Sequence, residues 1–227
     1  SNTTGIYNTA NGYRALVSNT TGGNNTATGT AALYSNTTGI QNTATGVRSL
    51  ESNTTGNYNT ATGFQALYAN TTGTSNTATG LEALTSNTTG QQNTATGYFA
   101  LRFNTTGIRN TAIGLSAGSS ITTGSNNTFL GYDAQPSSAT VSNEITLGDT
   151  DVTTLRVPGL GFYGVRTNTT VATTSITTID SIVVATYRSA RIQIQITQGS
   201  NYQVSDVLLI HDGTTASIIE YGTLATG

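Results

Sequence analysis

SNTTGIQNTATGVRSLE, which occupies residues 35–51, is one unit of a tandem repeat that fills residues 1–148. The same 17-residue unit precedes it as SNTTGGNNTATGTAALY at 18–34 and follows it as SNTTGNYNTATGFQALY at 52–68, with no residue inserted between units. Strict spacing of this kind is typical of stacked units that each contact only their neighbours. One glycine returns once per unit, in the column Gly12, Gly29, Gly46, Gly63, Gly80, Gly97, Gly114, Gly131 and Gly148.

The unit has the features of a β-coil and none of a helix. Its apolar residues do not recur at helical spacing, and Thr, Asn and Gly are poor helix formers. A second glycine, such as Gly39, divides the unit into short runs such as 42–45 and 47–50, and we interpret both glycines as corners with positive φ. We therefore predict an all-β fold, a parallel β-solenoid (β-roll) of about nine 17-residue rungs over residues 1–148. Stacked at about 4.8 Å, these rungs form a rod of roughly 43 Å.

Fixed and variable columns separate the structural positions of the repeat from its surface. We expect the variable columns, such as the one that contains Gln41, to face solvent and the fixed columns to face a partner. An Asn column suits an amide ladder along the stack. The fixed positions that we single out are the glycine column above together with Asn25, Asn42, Asn59, Leu33, Leu50 and Leu67.

The direction of the Thr-Ala-Thr run decides which face of the coil is the core. Alternation along a strand places both threonines on one face and the alanine on the other. The second threonine becomes Ile113, Leu130 and Leu147 in later units, which predicts that the threonines point inward. The alanine column ends in Phe129, which favours burial of that face too, so one face is expected to fill the coil and the other to pack on a symmetry mate.

The composition limits both the core and the partners. Charged residues make up 8% and hydrophobic residues 35% of the 227 residues, both below the usual shares. A coil this thin buries little by itself, so we expect a homotrimer around a threefold axis. The net charge of −2 gives no electrostatic basis for binding nucleic acid. No apolar run is long enough for membrane insertion, and the chain has no Cys for disulfides.

The repeat rhythm stops after Gly148. Residues 149–164 contain Pro158 and several glycines and are interpreted as a linker or neck. Residues 165–227 alternate β-branched and polar residues over 171–178, 182–187, 191–197, 204–211 and 217–221, which predicts a small antiparallel, sandwich-like β-domain. It lacks a closing strand, so we interpret this domain as incomplete.

The sequence offers few groups for chemistry. His211 beside Asp212 is interpreted as part of a hairpin turn, and the carboxylates of Glu144, Asp149 and Asp151 as solvated groups at the solenoid end, although oxygen ligands of this kind can bind Ca²⁺. We predict no enzyme activity, no catalytic or metal site and no cofactor. The arginines in the variable columns are candidates for contacts with an anionic host glycan: Arg14, Arg48, Arg102 and Arg109.

The repeat resembles those of phage tail-fibre proteins. The stretch SNNTFLGYDAQPSSATVSNEITLGDTDVTTLRV (125–157) is similar to the junction between repeat and terminus in such fibres. The stretch TTIDSIVVATYRSARIQIQITQGSNYQVSDVLLIHDGTTASIIEYGT (177–223) looks like a β-domain of structural proteins in marine and cyanobacterial phages. The rungs also resemble the heads of trimeric autotransporter adhesins. Both resemblances imply homotrimers on a virion or an extracellular surface.

The expected function is that of a homotrimeric tail-fibre shaft that spaces and presents host-recognition elements. Its partners would be copies of itself, other fibre or tail proteins and a host surface glycan. A bacterial trimeric adhesin stalk has the same mechanics. A different class is an ice-binding β-solenoid with an outward Thr-x-Thr array, which inward threonines would disfavour. A glycan depolymerase is the enzymatic alternative, but it needs a carboxylate cluster that these rungs lack.

Overall fold

The computed structural model describes residues 2–157, 161–164, 189–198, 201–211 and 216–225, with side chains described for residues 2–154 and 156. The described residues contain strands and turns and no helix. The chain divides into two compact units, Ser1–Val165 and Arg166–Gly227. The all-β fold predicted from the repeat is confirmed, and its first unit is a parallel β-solenoid.

Nine short strands build the solenoid, one from each coil. They form a single sheet in chain order, and every pair is parallel and in register, so that Thr26 faces Thr43 and Ala27 faces Ala44. The strands are β1 (Thr9–Asn11), β2 (Thr26–Thr28), β3 (Thr43–Thr45), β4 (Thr60–Thr62), β5 (Thr77–Thr79), β6 (Thr94–Thr96), β7 (Thr111–Ile113), β8 (Thr128–Leu130) and β9 (Ile145–Leu147).

Backbone hydrogen bonds join neighbouring coils far beyond the strands. The amide of Arg48 donates to the carbonyl of Thr30 in the preceding coil at 2.9 Å, and the amide of Leu50 donates to Ala66 in the following coil at 3.0 Å. The run 47–50, which the sequence suggested as a second short strand, forms turns instead. A coil with one three-residue strand still satisfies its backbone, because the turns bond to the coils on both sides.

The core of each coil is narrow and made of small residues. The alanine at the centre of each strand is fully buried, from Ala27 to Ala112. The leucines of the fixed column are buried too, and Leu33, Leu50 and Leu67 have no exposed surface. A third buried column contributes Ala32, Ser49 and Ala66. The part of the interior that each strand faces therefore has room for the methyl group of alanine and little more.

Two buried asparagine ladders run through this core. In the first, which contains Asn25, Asn42 and Asn59, Asn42 Nδ2 donates to Asn25 Oδ1 at 3.2 Å and the backbone amide of Asn42 donates to the same oxygen at 2.9 Å, so the predicted amide ladder is present. The second ladder runs from Asn2 to Asn104, and in it Asn53 Nδ2 donates to Asn36 Oδ1 at 2.8 Å. The side chains of the second ladder are buried from Asn19 onward, so the Asn-x-Thr sequences there are closed to glycan attachment.

The two glycine columns are needed for different reasons. The column of Gly46 has positive φ, 134° at that residue, as the sequence predicted for a corner. Glycines of the other column, such as Gly56, lack a positive φ, so the prediction for them was wrong. A Cβ on Gly56 would collide with the carbonyl of Gly73 and with Asn53 Oδ1, and this close approach of coils requires glycine there.

Left-handed backbone is instead adopted by residues with side chains. Each of the first six coils has three such positions, represented by Gln41, Arg48 and Leu50 with φ values of 56°, 60° and 50°. L-residues with a Cβ enter this region at a cost of about 1–2 kcal/mol each. The hydrogen bonds and packing of the coil must offset that cost.

The solenoid core becomes more apolar towards its C-terminal end. The leucine column gives way to Gly118, and Phe129 replaces alanine in β8 with no exposed surface. A Cβ on Gly118 would collide with the Phe129 ring, so the ring occupies the space that the leucine column gives up. Ile121, fully buried, takes the position of the second asparagine ladder in the same coil.

Five further strands follow the solenoid within the described residues. Strands β10 (Thr154–Val157) and β11 (Gly161–Gly164) pair antiparallel within the first compact unit. In the second unit, β12 (Ser189–Gln198), β13 (Asn201–His211) and β14 (Ala216–Ala225) form a three-stranded antiparallel sheet. These three strands contain the predicted runs 191–197, 204–211 and 217–221, and the predicted runs 171–178 and 182–187 lie outside the described residues. His211 ends β13 opposite Ala216, and Asp212 of the predicted turn lies outside the described residues.

Candidate functional site

The Thr-Ala-Thr strands point their threonines to the outside of the coil. In β3, β4 and β5 both threonines are exposed and the alanine between them is buried. The prediction that these threonines point inward was therefore wrong. The physical reason is the narrow interior facing the strands, which holds the alanine side chains. A larger side chain, Phe129, enters this interior only in β8, where it lies beside Gly118.

The outward threonines form two columns on the parallel, in-register sheet. We call them the first Thr column (Thr26, Thr43, Thr60, Thr77 and Thr94) and the second Thr column (Thr28, Thr45, Thr62, Thr79 and Thr96). In-register pairing separates neighbouring threonines within a column by about 4.8 Å, and the two columns by about 6.6 Å along the strand. The result is a regular array of hydroxyl and methyl groups over five successive strands.

An exposed apolar surface adjoins the second Thr column. The residue that follows the strand and its glycine is apolar in most coils, as in Val47, Phe64 and Leu81, which are 42%, 44% and 37% exposed. Beyond Thr96 the second Thr column itself becomes apolar. We call these exposed residues together the apolar face: Tyr13, Val47, Phe64, Leu81, Tyr98, Ile113, Leu115, Leu130, Tyr132 and Leu147.

Charged residues are absent from the columns of this surface, although the neighbouring Arg14 lies over the Tyr13 ring. The columns of the threonines and of the apolar face contain no Asp, Glu, Lys or Arg from residue 9 to residue 132. All the charged residues of the chain up to Tyr132 lie in the other, variable columns, and they are Arg14, Arg48, Glu51, Glu82, Arg102 and Arg109. The solenoid therefore has one uncharged side and another side that carries both signs of charge.

Arginines of the variable columns are engaged by side chains of their own chain. Arg48 Nε lies 2.5 Å from Glu51 Oε2, and its guanidinium carbon lies 4.9 Å from the centroid of the Tyr68 ring. The hydrogen bond that Arg48 donates to Glu51, and then the charge of Glu51, raise the pKa of Arg48 above the usual value. Arg102 similarly pairs with Glu82 at 2.9 Å.

The two remaining candidates for glycan contacts are also occupied. Arg14 lies over the Tyr13 and Tyr34 rings, at 5.3 and 5.9 Å from their centroids. Arg109 Nε donates to Gln92 Oε1 at 3.2 Å. The structure thus places the four arginines in separate coils, each held by neighbours rather than gathered in one cluster.

The carboxylates at the end of the solenoid are not brought together. Glu144 accepts hydrogen bonds from the amide and hydroxyl of Ser137, and the hydroxyl bond is the largest cause of the lowered pKa of Glu144. Asp149 Oδ1 accepts from the amide of Asp151 at 3.0 Å. Within the part of the chain that the structure describes, no group of three or more His, Cys, Asp or Glu side chains is placed to hold a metal ion.

Several functional features left a weak signal in the sequence. The apolar face was detectable as the residue after the glycine column, which is apolar in most units but changes identity from one to the next. The second asparagine ladder was detectable because Asn36 and its equivalents are as constant as the first ladder. The left-handed positions had no signal, since residues as different as Gln41, Tyr58 and Ser75 occupy them.

Comparison with protein-family models, with curated proteins and with solved structures gives no match for this chain. A search of the described residues for helices finds none long and apolar enough to cross a membrane. The function is therefore argued from the solenoid and its two kinds of surface.

Proposed function

We propose that this chain is a structural protein, the shaft of a homotrimeric fibre that spaces and presents host-recognition elements. The observation that carries this proposal is the continuous bonding between coils. Each coil is tied to the next by backbone bonds in strand and turn, and by the buried asparagine ladders. A stack bonded in this way transmits load along its axis and gives length without a large core.

The assignment to a phage tail fibre rests on the resemblance of the repeat and of residues 125–157 and 177–223 to such fibres. It places the protein on the virion surface, outside the cell, with other tail proteins and a host glycan as partners. A bacterial adhesin stalk uses the same mechanics. We also propose that the three-stranded sheet of β12, β13 and β14 belongs to a sandwich-like domain at the end of the shaft. This function requires no catalytic group or cofactor.

Solution mass and particle shape test the shaft proposal. Light scattering on a sizing column should give a mass three times the 23.3 kDa of one chain. Electron microscopy should then show a solenoid part that is roughly 43 Å long for nine stacked strands. A monomer at all concentrations would reject the homotrimeric shaft.

Ice binding is a second candidate function, and the outward threonines favour it. A flat, regular Thr-x-Thr array on a solenoid is the geometry of an ice-binding surface, and the two Thr columns are regular and in register over β2 to β6. Thermal hysteresis in the wild-type protein, lost in Thr45→Lys with Thr62→Lys, would support this function. The control pair Thr55→Lys with Thr72→Lys lies in exposed positions outside the array and should retain the activity. Absence of thermal hysteresis in the wild type would reject it.

A further inference from the structure

The apolar face is exposed in the single chain, although Tyr13 lies beside Arg14 and Tyr98 beside Phe99. Its ten side chains are between 37% and 69% exposed. With roughly 150–250 Å² for a large side chain, the exposed area is on the order of 800–1,000 Å² per chain. Soluble monomers rarely leave an apolar surface of this size open, and a stable interface buries about 800 Å² on each partner.

The chemistry of the apolar face selects its partner. The face has no charged residue from Tyr13 to Leu147, whereas the variable columns hold the charges of the same coils. Depletion of charge with enrichment of Tyr, Phe and Leu is typical of the buried centre of a protein interface. A partner must also be apolar along the whole stack and must repeat with the spacing of the coils. A second copy of this chain meets both conditions.

The order of residues along the face sets the direction of the partner. In the column that begins with Asn11, the early coils carry Thr28, Thr45 and their equivalents, and the last three carry Ile113, Leu130 and Leu147. Copies aligned in parallel bring these aliphatic side chains together. An antiparallel arrangement would place Leu130 against threonines, and the burial of apolar surface would be smaller.

We infer that copies of this chain associate in parallel through the apolar face, with the aliphatic coils at Ile113, Leu130 and Leu147 meeting one another near the common axis. The inference rests on the proposed homotrimeric shaft and identifies the surface that joins its chains. It also predicts which side remains outside, because the columns of Arg48 and Glu51 then face solvent.

A matched pair of double variants tests the surface. Phe64→Glu with Leu81→Glu places two charges in the apolar face, and Thr55→Glu with Thr72→Glu places them in exposed positions of the same two coils. The first pair should raise the concentration at which the trimer forms by at least about 100-fold, because like charges are brought together at the interface. The second pair should assemble as the wild type does, and circular dichroism should show the same β signal for both.

The outcomes separate this inference from the proposal on which it rests. If the wild type is a trimer and the apolar-face variant forms a trimer at the same concentrations, the inference is overturned and the homotrimeric shaft stands. A wild-type monomer overturns both. If the apolar-face variant loses its β signal, cross-linking decides instead, since the chain has no Cys and an introduced one is its only thiol.

Cross-linking also tests the direction. Leu130→Cys treated with a short bismaleimide should give covalently joined chains, and Thr123→Cys, an exposed position in the same coil, should not. Absence of a product with Leu130→Cys would overturn the parallel arrangement. A product formed only when Leu130→Cys and Thr28→Cys chains are mixed would show antiparallel packing and overturn it equally.

Discussion

Replacement of Asn59 by aspartate tests the buried amide ladder, and we predict a loss of stability that depends strongly on pH. Asn59 has no exposed surface. Its side-chain amide donates to the carbonyl of Gly73 at 2.8 Å and to Asn42 Oδ1 at 3.2 Å, while Asn59 Oδ1 accepts from the amide of Asn76 at 3.0 Å. Asn59→Asp keeps the shape and the acceptor but turns both donated bonds into contacts between oxygens.

The expected cost has two parts. The neutral carboxyl group recovers one of these two bonds through its O–H, so one donated bond is lost at low pH and contributes about 1 kcal/mol, since such a bond is worth about 0.5–1.5 kcal/mol. A carboxyl group in this dry position, with no cation beside it, should have its pKa raised by about 3 units, which adds about 4 kcal/mol when it is ionised. The free energy of unfolding should fall by about 1 kcal/mol at pH 3 and by about 5 kcal/mol at pH 7, relative to the wild type at each pH.

The direction of the pH effect follows from the raised pKa. The carboxyl group would be neutral in the folded and unfolded states below its unfolded pKa of about 3.9, so the second cost is absent there. As the pH rises towards the folded pKa, the unfolded state releases its proton first and the variant loses stability. Urea unfolding followed by circular dichroism at the two pH values measures the difference. Asn24→Asp, the same change at an exposed position, is the control. A variant of Asn59 that is as stable at pH 7 as this control would refute the reasoning.

Three further predictions concern the coil itself. Gly56→Ala should lower the free energy of unfolding by at least about 2 kcal/mol, because its Cβ would collide with the carbonyl of Gly73; a urea midpoint equal to the wild type would contradict this. Gln41→Val should cost about 1–2 kcal/mol more than Gln41→Asn, because a β-branched residue tolerates φ of 56° poorly; equal urea midpoints for the two variants would contradict the left-handed backbone. Glu144→Gln should lose the stability that comes from the lowered pKa of Glu144, a contribution present above about pH 4.3 and lost as the pH falls through the folded pKa. Thermal midpoints of wild type and variant should therefore differ at pH 7 and converge in acid, and a difference that persists in acid would count against the Ser137 bonds as its cause.

The strict period was the part of the sequence from which the fold could be predicted. Asn25, Asn42 and Asn59 recur without variation because each forms hydrogen bonds with its equivalents in neighbouring coils, so a change at one position disturbs its neighbours. An unbroken column of one polar residue is therefore a direct signal of a ladder, and the parallel, in-register stack follows from it. The same argument applied to Asn36 would have revealed the second ladder.

The direction of the threonines could not be obtained from alternation alone. Alternation shows that Thr43 and Ala44 lie on opposite faces. Which of the two points into the coil depends on how much space the turns leave inside it. Ile113 and Leu130 suggested a core position because they are apolar, yet they are 45% and 47% exposed. The reliable signal was Phe129, which enters the alanine column in the coil that follows the replacement of leucine by Gly118. When a small residue becomes large in one column and a large residue becomes small in another column nearby, the two columns share the same interior space.

The two functional proposals place opposite demands on one column of threonines. Thr45 and Thr62 lie within two residues of Val47 and Phe64, so chains that pack through the apolar face also cover the second Thr column. An ice-binding array needs both Thr columns exposed, because a single column lacks the regular spacing of threonines along the strand direction. A trimer without thermal hysteresis therefore supports the shaft, and a monomer with thermal hysteresis supports ice binding. A trimer that retains full thermal hysteresis would show that the apolar face is open, and the interface would have to lie on the side that carries Arg48 and Glu51.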